Sequence, residues 1–242
     1  MPVTECKSIR VERRSTLTGA RQAASIVVVI DVLRAFTCAA MMFSYGIRKL
    51  VLVGNTEEAL DLRRADPEYV VAGEVNGAKP DGFDIGNSPS EIIEKGESYF
   101  KQRKVVLRSS AGTQGALAVR YGAREIIVAS YSTASAVARY IRHRRASDPV
   151  TLVGMGWKAL EKSVEDERCG DYIEHLLTGS EYDHISAIQD CLHDPAIAAS
   201  LRGERPYLPK EDVILALQRD LFDFVMVGQP AANSVVVRSI RA

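Results

Sequence analysis

Six apolar runs constrain this chain more than anything else in it: SIVVVI (25–30), KLVLV (49–53), YVVAGE (69–74), KVVL (104–107), EIIVA (125–129) and VTLVG (150–154). A strand with one wet face alternates polar and apolar residues. A strand that is apolar at nearly every position has to be covered on both faces, as in a parallel sheet sandwiched between helices. Helical patterns fill the gaps: an alanine-rich stretch ending at Tyr45, TEEALDLRRA (56–65) with Thr56 as its N-cap, a second alanine-rich stretch after RSSAGTQG (108–115), STASAVARYIRHR (132–144), and a helix from about Ser163. This alternation predicts a three-layer α/β/α fold on a mostly parallel or mixed sheet.

The chain also repeats itself. SYGIRKLVLVGNTEEAL (44–60) lies over RYGAREIIVASYSTASA (120–136), so that Tyr45 and Tyr121, Gly46 and Gly122, and Arg48 and Arg124 are each 76 residues apart. Carried upstream without a gap, that spacing places VIDVLRAFTCAAMM (29–42) over VVLRSSAGTQGALA (105–118), with Ala35 on Ala111 and Thr37 on Thr113. Two similar halves are therefore expected within one α/β unit covering residues 1–242, the repeat running over about 25–66 and 101–144. Its period is far above that of solenoid repeats.

Composition narrows the function classes. Thirty-one basic and thirty-one acidic side chains cancel, so no global field draws in nucleic acid or an anionic membrane, and any anion has to be caught locally. Neutrality neither favours nor forbids a homodimer. Cys6, Cys38, Cys169 and Cys191 are widely spaced, without a CxxC pair, and read as reduced thiols. No apolar run approaches the ~20 residues that span a bilayer, and MPVTECKSIRVERR lacks the apolar core of a signal peptide, so the expected location is the cytoplasm. The sequence assigns no role to the C-terminal VVVRSIRA.

In doubly wound sheets, ligands sit where the carboxyl ends of strands turn into helices. Four loops of that kind carry polar residues. The first holds Asp31 and Arg34 after a buried strand, read either as a helix cap with its ion pair or as one wall of a site. The second is RSSAGTQG, where Ser109, Ser110, Gly112 and Thr113 form a candidate anion cradle of backbone N–H groups; it lacks the lysine of a P-loop. The third, GEVNGAKPDGFDIGNSPSE (73–91), carries Glu74, Asp84, Asn87 and Ser88. The fourth, SVEDERCG (163–170), puts Glu165, Asp166 and Glu167 in the first turn of a helix, where the helix dipole alone would favour them.

Carboxylates on several loops suit Mg²⁺, and an arginine with backbone amides suits a phosphate. Phosphoryl chemistry fits this inventory, and three common routes to it are absent. Leu33 stands where a haloacid-dehalogenase phosphatase has its second aspartate. The residues six after each cysteine are Glu12, Ser44, His175 and Ile197, none of them the arginine of a cysteine phosphatase. No Arg-His-Gly occurs.

VVVIDVLRA, AGEVNGAKPDGFDIGNSPSE and VEDERCGDYI resemble, in order and spacing, the blocks of the 2-phosphosulfolactate phosphatase family, from about residue 25 to about 225. The resemblance implies a Mg²⁺-dependent phosphoric monoester hydrolase that converts 2-phosphosulfolactate to sulfolactate and phosphate, a step of coenzyme M biosynthesis. Carried onto this chain, its blocks point to Asp31, Arg34, Glu74, Asp84, Asn87, Ser88, Glu165 and Asp166. Together with the cradle after the fourth strand, the expected catalytic residues are Asp31, Arg34, Asp84 and Asn87, the substrate-binding ones Ser88, Ser109, Ser110, Gly112 and Thr113, and the metal ligands Asp31, Glu74, Glu165 and Asp166. Two departures fall in the expected anion pocket: SSAGT puts Ala111 where the family usually has asparagine, and Phe36 follows Arg34-Ala35 in place of a small hydroxylated residue. They leave a rival reading, a non-catalytic phosphoacid-binding protein on the same scaffold.

Overall fold

The computed structural model describes residues 9–144 and 148–242, so Cys6 lies outside the described residues. In chain order the elements are β1 (Val11–Ser15), α1 (Thr16–Gln22), β2 (Ser25–Ile30), α2 (Ala35–Ser44), β3 (Lys49–Val53), α3 (Thr56–Ala65), β4 (Tyr69–Gly73), α4 (Pro89–Lys95), α5 (Glu97–Phe100), β5 (Lys104–Arg108), α6 (Gly112–Val119) and β6 (Ala123–Ala129). A 3₁₀ turn (Tyr131–Thr133) leads into α7 (Ala134–His143), β7 (Val150–Gly154), α8 (Val164–Thr178), α9 (His184–His193), α10 (Pro195–Leu201), α11 (Lys210–Ala216), β8 (Phe224–Ala231) and β9 (Ser234–Arg241). The six expected strands are present. Helix α3 is capped by Asn55 rather than Thr56: its side chain accepts from the Glu58 N–H while Glu58 reaches back to the Asn55 N–H, a reciprocal capping box.

Nine strands form a sheet in the order β1-β7-β2-β6-β8-β9-β3-β5-β4. Strands β1, β7, β2 and β6 are mutually parallel, as are β3, β5 and β4. The C-terminal hairpin β8-β9 joins the blocks antiparallel on both sides, Ile126 opposite Gly228 and Leu50 opposite Val237. The two blocks therefore run in opposite directions. VVVRSIRA, all but its last residue, belongs to β9, near the centre of the sheet.

Exchanging β2-α2-β3-α3-β4 with β5-α6-β6-α7-β7, and β8 with β9, reverses the strand order from β7 to β4 onto itself. The halves are thus related by an approximate two-fold through the hairpin, and each half sends a strand into the other's block. Burial on both faces follows from the uniform apolar runs. Val27 and Val29 of β2 pack with α1, α2 and α6, whereas Ile26, Val28 and Ile30 pack with α7 and α8. Helix α3 covers Val51, Val53 and Val106 on the second block.

Candidate active site

The loops that leave β2 and β5 meet. Asp31 follows β2, and its Oδ1 accepts from the Ala35 N–H four residues on, at 3.0 Å. Ser109 follows β5, and its Oγ accepts from the Thr113 N–H four residues on, also at 3.0 Å. These equivalent bonds put Asp31 over Ser109 and Ala35 over Thr113, 78 residues apart (109 − 31 and 113 − 35), not over residues 107 and 111 as the ungapped spacing of 76 expects. The physical reason is helix length: α2 has ten residues and α6 eight, so the register slips by two before β3 and β6.

Asp31 reaches across the approximate two-fold. Its Oδ2 accepts from the Gly112 N–H at 2.7 Å, which binds the two halves together at their functional ends. A Cβ on Gly112 would lie 2.6 Å from that oxygen, so any other residue there displaces the Asp31 carboxylate from this contact.

Two further carboxylates act as symmetric clamps. Glu74, just beyond β4, accepts from the Ser110 N–H and, at 2.6 Å, from the Gly77 N–H. Asp166, in the first turn of α8, accepts from the Val32 N–H at 2.8 Å and the Gly156 N–H at 2.7 Å. Each thus pins one residue of the loop after the other half's first strand and one glycine of the loop after its own half's last strand.

The 109–113 loop is an anion cradle, as its small residues lead one to expect, but its anions belong to the protein. The N–H groups of Ser110 and Gly112 are taken by Glu74 and Asp31, and the Thr113 N–H by Ser109; the hydroxyl of Thr113 in turn accepts from the Ser109 N–H at 2.9 Å. Ala111 has the one N–H of this loop from 109 to 113 without an acceptor among the described residues. Ser109 and Thr113 are buried in this reciprocal cap, while Ser110 and Ala111 line the cleft.

Arg34 is buried at the cleft wall and donates to Asp212 at 2.8 Å and to the Gly77 carbonyl at 3.3 Å. Asp212, fully buried in α11, also accepts from the Ser88 hydroxyl and from the N–H and hydroxyl of Ser90. Its role is not legible in the sequence, where an acid in the first turn of a helix reads as a dipole effect. Ser88 caps α4 and serves Asp212 rather than the cleft. Asn87 lines the cleft, and its buried Oδ1 has no hydrogen-bond partner among the described residues.

Two expected residues lie elsewhere. Asp84 accepts from the Arg63 side chain at 2.8 Å and the Val71 N–H at 2.7 Å, so its carboxylate pins β4 to α3 outside the cleft. Phe36 is buried in the core with the rest of α2 and does not line the pocket, whereas Ala111 does.

The cleft, lined also by Trp157, Lys158 and Tyr207, is rich in buried acid. Burial pushes the Asp31 carboxyl up to about 6, against the pull of the Ala35 and Gly112 N–H groups. Burial likewise pushes Glu165 up to about 7, and raises Asp166 well above the carboxylate range with Glu165 and Asp31 adding like charge. Glu165 and Asp166 stand behind the loops, outside the lining. Cys38, Cys169 and Cys191 are buried free thiols held protonated by burial, which leaves them without nucleophilic character.

Among the described residues no three His, Cys, Asp or Glu side chains converge as a ready-made metal cage. Mg²⁺ does not need one: it is usually held by one or two carboxylates, with waters and substrate phosphate completing the shell. Asp31, Glu74 and Asn87 line the cleft and carry only hard oxygen donors of the kind Mg²⁺ takes, the Asn87 oxygen being buried without a partner among the described residues.

A buried, oxygen-rich cleft built from loops at the carboxyl ends of parallel strands is where an α/β enzyme places its chemistry. A family model described as 2-phosphosulpholactate phosphatase matches residues 13–230, and the chain belongs to that family. Similar curated proteins include a probable 2-phosphosulfolactate phosphatase of Bacillus subtilis, 28% identical over 205 residues, which are 84% of this chain and 86% of the relative. One of the same name from Deinococcus radiodurans is 37% identical over 65% of this chain and 64% of its own length. Another from Thermus thermophilus is 36% identical over 54% of this chain and 53% of its own length. Among the described residues no helix is long and apolar enough to cross a membrane.

Proposed function

We propose that this chain is a Mg²⁺-dependent phosphoric monoester hydrolase that releases phosphate from 2-phosphosulfolactate, leaving sulfolactate. The observation that carries the metal dependence is the charge of the cleft. Asp31 and Glu74 face it, Arg34 is matched by Asp212, and Lys158 alone does not offset both carboxylates, so a phosphate of charge near −2 enters most readily with a divalent cation. Mg²⁺ held by Asp31 and Glu74, with the Asn87 oxygen, would neutralise the phosphoryl oxygens and orient a water.

The residues divide the remaining work. Arg34 has N–H groups beyond those given to Asp212 and Gly77, and these clamp the phosphoryl oxygens. The Ala111 N–H is a second donor to them. Asp166 and Glu74 hold the loops that carry these groups, so little reorganisation accompanies the reaction. Water adds to phosphorus, the ester P–O bond breaks, and the departing alkoxide takes up a proton to give sulfolactate.

Phosphate release from 2-phosphosulfolactate, measured with Mg²⁺, after chelation, and after Mg²⁺ is restored, tests this reading. The expected result is turnover that disappears on chelation, returns with the metal, and is lost in Asp31→Ala. Tight, metal-independent binding of the phosphoacid by calorimetry without consumption would instead assign the protein to the non-catalytic class.

A further inference from the structure

The segment between β7 and α8 adopts a backbone that its sequence should resist. Lys158 and Ala159 have φ of 53° and 61°, in the left-handed region that costs a non-glycine residue roughly 1–2 kcal/mol. Two such residues in succession persist where the surroundings fix them, and here they do. The Gly156 N–H is held by Asp166, the Trp157 N–H donates to the Glu161 carbonyl at 2.8 Å, and the Leu17 N–H donates to the Ala159 carbonyl at 2.9 Å. Gly156 has a φ of 67°, and a Cβ there would lie 1.9 Å from the Glu161 carbonyl oxygen, so the turn closes only with glycine. Ala159 is thereby turned into the core and Lys158 to the cleft rim.

Two cations line the cleft. Arg34 is paired with Asp212, whereas Lys158 has no acidic partner among the described residues, its ammonium lying 5.7 Å from the centre of the Trp157 ring. A strained, anchored turn that presents an unmatched ammonium on the same cleft as Asp31 and Arg34 is organised for a second anionic group, beyond the phosphate. We infer that Lys158 is a specificity-determining residue, selecting phosphomonoesters that carry an additional acid group by pairing with that group at the rim. The inference rests on the phosphatase reading above. It adds to that reading a residue that none of the four loops singled out in the sequence contains.

The test is steady-state kinetics of the full chain with Mg²⁺ on three substrates: 2-phosphosulfolactate, 2-phospholactate, which keeps the carboxylate and lacks the sulfonate, and p-nitrophenyl phosphate, which has neither. Lys158→Ala should raise KM for 2-phosphosulfolactate about tenfold or more with kcat changed little, as loss of a ground-state ion pair does, and should lower kcat/KM on p-nitrophenyl phosphate far less. Lys158→Arg should keep most of the discrimination. A penalty that vanishes on 2-phospholactate assigns the pairing to the sulfonate, and one that persists assigns it to the carboxylate. Lys158→Gly, which relaxes the left-handed turn, should reproduce the alanine result and shows that charge rather than folding is read. Equal losses on all three substrates, or none, overturn the role of Lys158 and leave the phosphatase reading standing. Failure of the unmodified chain to turn over any of them overturns both.

Discussion

Replacing Asp212 by asparagine should be among the most destabilising substitutions around the cleft. Its carboxylate is fully buried, ion-paired to the buried Arg34 at 2.8 Å, and also accepts from Ser88 and from the N–H and hydroxyl of Ser90. Asp212→Asn keeps an acceptor for the serines but leaves the Arg34 guanidinium buried without its counter-charge, a loss of about 3–5 kcal/mol. In a chain of this size that lowers the melting temperature by roughly 10 °C, at about 2–4 °C per kcal/mol. Arg34→Met removes the stranded charge, so the double variant Arg34→Met/Asp212→Asn should recover at least about 1 kcal/mol relative to the sum of the single losses. Urea unfolding of all four proteins, followed by circular dichroism, measures the cycle. A cost below about 1 kcal/mol for Asp212→Asn, or additive single losses, would refute the claim that this pair fixes the arginine.

Stability of the metal-free protein should fall as pH rises from about 4 to about 7. Folding lifts Asp31 from 3.8 to about 6 and Glu165 from 4.5 to about 7, so the native state binds protons more tightly than the unfolded chain through this window, and each group withdraws about 3 kcal/mol by its upper end. Mg²⁺ should therefore raise the melting temperature more at pH 7.5 than at pH 5, and a metal-independent melt that is flat with pH speaks against buried, uncompensated acids. Gly112→Ala places a methyl 2.6 Å from Asp31 Oδ2 and should lower kcat/KM by about a hundredfold, with a melting temperature that moves by only a few degrees; unchanged kinetics would mean that the Asp31–Gly112 contact is dispensable.

Much of the fold is legible in the sequence because burial on both faces leaves no polar positions to blur the strands. SIVVVI, KLVLV and VTLVG coincide with β2, β3 and β7 residue for residue. The edge strand β1 is not legible, since VERRS is mostly charged and its Arg13 is placed by Asp171 and the Glu167 carbonyl, both more than 150 residues away. Nor is the reversal of the second block, which depends on the β8-β9 hairpin inserting between halves that a short-range pattern would place side by side.

The site divides in the same way. Asp31, Arg34, Glu74 and Asp166 stand out as charges at the ends of buried strands or at a helix start, and all four belong to the cleft or to the clamps that hold it. Asp84 stands out for the same reason, yet its partner is Arg63, whose position on α3 no local pattern specifies. Asp212 and Lys158 escape notice because KEDVILA and GWKALEK look like an ordinary helix start and an ordinary turn. A signal for Lys158 does exist: its loop leaves the carboxyl end of β7, the same kind of junction that marks the polar loops after the other parallel strands.

On the proposed function, the two halves meet at Asp31, and the cation and the phosphate meet there as well. Anomalous diffraction from crystals soaked in Mn²⁺ as a stand-in for Mg²⁺, together with a phosphate mimic, tests it directly. The expected peak lies within about 2–2.5 Å of an Asp31 carboxylate oxygen, with Glu74 or Asn87 completing the protein ligands and the anion on Arg34. A metal held at Glu165 and Asp166 behind the loops, with Asp31 still closed on Ala35 and Gly112 and no ion in the cleft, would contradict it.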